Sequence, residues 1–85
     1  MDVDWKQKAE SDRDNIYDNL EATSKEAANS TDRKIAAGVA DIASGLLSGH
    51  PVDGSMTVHR LVLSTGHYIL YEKLRSRITI LRIRS

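Results

Sequence analysis

The stretch from Val58 to Arg84 constrains this chain most. It reads as three short runs separated by turn chemistry. Val58 to Leu63 is strand-like, and Ser64-Thr65-Gly66 makes a turn. His67 to Glu72 is strand-like again, Lys73 to Arg77 is a polar turn, and Ile78 to Ile83 is the last run. β-Branched and aromatic residues bounded by Gly, Ser and charged clusters are the signature of an antiparallel meander. Side chains alternate between the two faces of a strand. His59, Leu61 and Leu63 therefore share one face, with Val58, Arg60 and Val62 on the other. In the last run the same rule groups Thr79, Leu81 and Ile83, and sets Ile78, Ile80 and Arg82 opposite.

A three-stranded sheet must bury one face against something, and the N-terminal half supplies the cover. Val3 and Trp5 alternate with Asp2 and Asp4, which predicts a short strand over residues 1–5. From Lys6 the period changes. Trp5, Ala9, Ile16 and Leu20 fall on one helical face, and Asp4-x-x-Gln7 forms a capping-box pattern. The spacing predicts a helix over 6–22. Thr23-x-x-Glu26 is a second capping-box pattern. Ala28, Ile35, Val39, Ile42 and Leu46 then recur at about 3.6 residues, which predicts a second helix over 25–47. Gly38 and Gly45 interrupt it and are expected where it meets the first helix. Residues 48–55, Ser-Gly-His-Pro-Val-Asp-Gly-Ser, read as a turn. The expected fold is α+β: an N-terminal strand, an antiparallel helical hairpin, then a three-stranded antiparallel meander. It forms one domain over residues 1–85.

Composition narrows the function classes. There is no cysteine, so neither a disulfide nor a thiolate metal site is available, which suits a reducing cytoplasm. No apolar run approaches the roughly 20 residues that span a bilayer, and the polar N-terminus is unlike a signal peptide. The formal net charge is zero, but it is unevenly spread. Residues 1–50 carry six basic and ten acidic side chains, and residues 51–85 carry six basic and two acidic ones. A dipolar molecule of this kind presents its basic end to something anionic, although the same cations also suit a solvated sheet. His50, His59 and His67 lack the spacing of a metal site, and no cofactor motif is present.

Two blocks carry a resemblance. The first is Trp5-x3-Ala9-x2-Asp12-x3-Ile16-x3-Leu20. The second is Arg60-Leu61-Val62, then Gly66-His67-Tyr68-Ile69-Leu70-Tyr71, then Ile78-Thr79-Ile80-Leu81-Arg82-Ile83. In this order and at this length the chain resembles the RelE/ParE superfamily of bacterial toxins, and more closely its ParE-like branch. The resemblance implies a toxin of a type II toxin–antitoxin (plasmid or chromosomal addiction) module. A cognate ParD/RelB-like antitoxin would neutralise it, and operator DNA would be bound only through that antitoxin. ParE-like members inhibit growth by poisoning DNA gyrase. RelE-like members enter the ribosome and cut mRNA without a metal. An inactive toxin fold that only binds its antitoxin is a third reading. Arg84 and Ser85 stand where many relatives carry an apolar residue and then His. Ser55 stands where many carry Arg. These departures imply a shortened C-terminus or a weakened toxin.

Messenger cleavage would need a base, an acid and cations to hold the developing charge. The candidate catalytic groups are Arg60, His67, Tyr71 and Arg82. The candidate target-binding groups are Arg60, Arg82 and Arg84. If Arg60 and Arg82 share a face, they could grip a phosphate together. His67 is the imidazole of the set. Tyr71 suits half-buried strand packing as well as it suits donation to an anion. The Lys73–Arg77 turn lacks the interleaved aromatics of a nucleic-acid surface. A neutral chain also lacks the positive excess that RNA binding rewards. On charge, a protein target such as gyrase is expected over RNA.

Overall fold

In the computed structural model, which describes residues 1–85, the predicted order of elements is present with one addition. β1 (Asp2–Trp5) leads into α1 (Gln7–Glu21) and α2 (Lys25–Ser44), followed by β2 (His50–Pro51), β3 (Val58–Val62), β4 (Tyr68–Leu74) and β5 (Arg77–Arg84). The strands form one mixed sheet in the order β1-β5-β4-β3-β2. β1 lies parallel to β5, and the other pairs are antiparallel. The added element is β2. Part of the stretch expected to be a turn pairs with β3, His50 opposite Arg60 and Pro51 opposite His59. Proline is tolerated there because β2 is an edge strand.

The helix starts differ from the capping expectations. Lys6 precedes α1 without a side-chain cap, and Asp4 instead pairs with Arg77 at 2.6 Å. At α2 the cap is Ser24 rather than Thr23, accepting from the Ala27 amide at 3.1 Å. Ser24 takes the extended backbone that an N-cap needs, with φ −154° and ψ 114°. α2 stops at Ser44 because Gly45 adopts a left-handed conformation, φ 81°. Gly45 therefore ends the helix rather than contacting α1. Gly38 also faces away from α1. A Cβ there would come within 2.8 Å of Leu63 and 3.0 Å of Ile69, so the missing side chain lets α2 settle onto the sheet.

The core lies between the helical hairpin and one face of the sheet. Ala9 of α1 and Ile35, Val39 and Ile42 of α2 pack against Ile69, Tyr71, Ile78, Ile80 and Ile83. Each fully buried isoleucine is worth about 1.5–3 kcal/mol of transfer free energy. Polar links tie the hairpin together. Arg13 donates to both oxygens of Asp32, at 2.7 and 3.0 Å, and Tyr17 donates to Asn29 at 2.7 Å.

β3 follows the alternation. Leu61 and His59 pair with Ile69 and the buried Tyr71 on the helix side, and Arg60 and Val62 are exposed on the other. β5 departs from it. Leu70 pairs with Arg82, but the next residue, Tyr71, pairs with Ile80. Leu81 is an extra residue, a β-bulge, and it resets the face. Ile78, Ile80 and Ile83 are all buried as a result. The expected grouping of Ile83 with Thr79 and Leu81, and of Arg82 with Ile78 and Ile80, is thereby overturned.

Candidate functional site

The sheet face turned away from the helices carries a row across three strands. Arg60 of β3 pairs with Leu70 of β4, and Leu70 pairs with Arg82 of β5. Arg60 and Arg82 thus flank one apolar residue. Tyr68, two residues before Leu70, belongs to the same face. The Arg60 guanidinium lies 5.3 Å from the centre of the Tyr68 ring, a cation–π distance. Arg60 makes no ion pair in the chain. Beside it, the approach to β2 and the turn after it leave a groove of about 360 Å³ lined by His50, Val52, Asp53, Arg60, Tyr68 and Leu70.

Arg82 has a different fate. Its Nε and Nη2 donate to the two oxygens of Asp12 at 2.7 and 2.9 Å. The same carboxylate accepts the Ile83 amide at 3.0 Å. β1 pairs with β5 only as far as Ile80, so β5 would otherwise leave that amide at an open edge. Asp12, projecting from α1, fills the position a neighbouring strand would take. The hydrogen bond from Arg82 holds the Asp12 carboxyl below its usual range. Burial opposes this, and the Ile83 amide adds to it. The bond to Asp12 correspondingly raises Arg82. The two arginines therefore share a row but not a grip: Arg60 lies over Tyr68, and Arg82 is drawn to the helix.

The other predicted residues separate. Tyr71 is 2% exposed and faces the helices. Its ring stacks on His59 at 5.4 Å, and its hydroxyl accepts the Gly49 amide at 2.8 Å. It faces away from Arg60, on the helix side of the sheet. His67 is half-buried at the turn between β3 and β4, with Nδ1 2.9 Å from the Thr65 hydroxyl. It lines a small depression with Asn15, Asn19 and Arg84. Arg84 is exposed at the end of β5, opposite Tyr68. Neither His67 nor Tyr71, the predicted proton-transfer groups, stands beside Arg60; the imidazole and carboxylate in its groove are His50 and Asp53.

Sequence reasoning missed Asp12 and Tyr68 as partners of the two arginines. Tyr68 was legible: it stands three residues from Tyr71, so alternation puts the two on opposite faces. Asp12 was not, because 70 residues separate it from Arg82.

Comparison with known proteins gives the arrangement a context. A family model described as "ParE toxin of type II toxin-antitoxin system, parDE" matches residues 3–85. No curated protein matches significantly. Among solved structures, the chain is similar to one described as "Chromosomal ParDE TA system from P. aeruginosa", with a TM-score of 0.82 and 26% identity. The similarity covers 99% of this chain and 94% of that one. With the family's pattern matched from β1 to the end of β5, the chain belongs to the ParE toxin family of type II toxin–antitoxin systems.

Proposed function

We propose that this chain arrests growth by binding DNA gyrase through the sheet face around Arg60, and that a cognate antitoxin relieves the arrest. The carrying observation is that the predicted catalytic groups Tyr71, His67 and Arg82 are each engaged away from Arg60. Metal-independent cleavage of RNA, in which a ribose 2′-OH attacks the adjacent phosphate and the 5′-oxygen leaves, needs base, acid and cation within reach of that phosphate. Here Tyr71 is on the far side of the sheet, Arg82 is held by Asp12 and His67 contacts Thr65. What remains on the open face is Arg60, unpaired and set among Val58, Val62, Tyr68 and Leu70. His50 and Asp53 lie beside it in the groove, and the unpaired Arg84 stands opposite Tyr68 at the end of β5. An arginine on an aromatic ring with apolar neighbours is the composition of a protein–protein contact. The uncharged balance of the chain supports the same preference, since RNA binding draws on positive excess.

The test adds purified protein to a gyrase supercoiling assay and, separately, to a translation extract read by primer extension. Loss of supercoiling with intact message supports gyrase binding. Codon-positioned cuts with normal supercoiling would instead identify a ribosome-dependent nuclease, and silence in both would leave an antitoxin-binding fold.

A further inference from the structure

We infer that the free edge of β1, with the cleft it leads into, docks an extended segment of another protein bearing Lys or Arg at alternate positions. This surface is separated from Arg60 by the width of the sheet, and the inference does not rest on the gyrase reading. The first observation is the backbone. β1 is the outermost strand, and only β5 pairs with it. Asp2 donates to Ser76 at 3.1 Å and Lys6 donates to Ile80 at 2.9 Å. Alternate residues of a strand direct their amides to opposite sides. The N–H and C=O groups of Val3 and Trp5 therefore point outward with no partner. An added strand is the occupant such an edge accepts.

The second observation is what the edge runs into. Trp5, the last residue of β1, is also a wall of the molecule's largest cleft, about 640 Å³. Tyr17 and the carboxylates of Glu10, Asp14 and Asp18 line the rest, with Arg13 over the Trp5 ring at 5.3 Å. Arg13 is neutralised by Asp32. Glu10, Asp14 and Asp18 have no ion pair. They stand one turn apart along α1, about 6 Å per step at 1.5 Å per residue. Like charges at this spacing repel and weaken a helix. Alternate side chains of an extended chain repeat at about 6.8 Å. A strand continuing from the β1 edge thus brings every second side chain opposite one carboxylate. Charge complementarity makes those side chains basic. An antiparallel strand, the more stable pairing, places them on its N-terminal side.

The probe is a synthetic amidated peptide, Arg-Ser-Arg-Ser-Arg-Gly-Thr-Val-Thr-Val-Thr, titrated into the full chain and followed by NMR amide exchange. The expected result is exchange slowed at least about tenfold at Val3 and Trp5, and little change at Asp4, whose amide already faces β5. Replacing the peptide arginines by glutamate should abolish binding. The double variant Asp14→Lys, Asp18→Lys, both positions being exposed, should weaken it at least about tenfold while leaving the spectrum dispersed. Lack of binding at millimolar peptide would overturn the inference. So would equal binding of the glutamate peptide, or binding that leaves Val3 and Trp5 exchanging freely.

Discussion

One carboxylate oxygen of Asp12 accepts both the Nε of Arg82, at 2.7 Å, and the backbone amide of Ile83, at 3.0 Å. α1 thereby closes the edge of β5 beyond the reach of β1. Replacing Asp12 by Ala removes the acceptors and leaves the Ile83 amide without a protein partner. That costs about 1–3 kcal/mol, which lowers Tm by at least about 5 °C in a domain this small. Thermal unfolding followed by circular dichroism measures it. An unchanged Tm would mean that water replaces the carboxylate at no cost.

The same contacts set an acid limit. Asp12 and Asp32 are both held below their ordinary value of 3.8, chiefly by hydrogen bonds from Arg82 and Arg13. Their folded-state affinity for protons is therefore lower than in the unfolded chain. The stability they contribute is fully present above the unfolded pKa and is lost as pH falls from there through the depressed folded value. Urea unfolding should give nearly constant stability between pH 7 and about 5, with a fall below about 4. Asp12→Asn should flatten that fall more than Asp32→Asn, because Asp12 also accepts the Ile83 amide. Parallel acid slopes for wild type and both variants would show that other carboxylates set the limit.

Gly49 and Gly38 are close-approach positions of unequal cost. A Cβ on Gly49 would meet the Arg60 carbonyl oxygen at 2.6 Å, whereas one on Gly38 meets the tips of Leu63 and Ile69. Backbone in a paired strand yields less than the end of a side chain. Gly49→Ala should cost more than about 2 kcal/mol. Gly38→Ala should cost less, because better helix propensity offsets part of the strain. Urea midpoints in the reverse order would contradict this packing.

Tyr71 and Arg60 should separate in growth assays. Tyr71→Phe loses only the acceptor for the Gly49 amide, worth about 1 kcal/mol. It should stay toxic when expressed without antitoxin. Arg60→Ala should lose toxicity while retaining the fold and antitoxin binding. Arg82 is a poorer probe, since removing it also disturbs Asp12. A non-toxic, folded Tyr71→Phe protein would restore that hydroxyl to the chemistry.

Much of this was legible in order and period. The switch from period two to 3.6 at Lys6 and the turn residues Ser64-Thr65-Gly66 located most elements, and alternation placed both faces of β3. It failed in β5, where Leu81 adds one residue against β4 and turns Ile83 inward. A bulge leaves no mark in hydrophobic patterning, because either register offers apolar side chains to the core. The site was half legible. The exposed placement of Arg60 followed from alternation, but the pairing of Arg82 with Asp12 depends on where α1 crosses β5. Local pattern carries no such information.

The central claim is that the open sheet face engages gyrase, and the most direct measurement is supercoiling inhibition by wild type and Arg60→Ala proteins matched for thermal stability. Wild type should abolish supercoiling, and Arg60→Ala should need at least about ten times the concentration, a loss of about 1.4 kcal/mol. Equal inhibition by both, or undiminished supercoiling at saturating wild type, would contradict it.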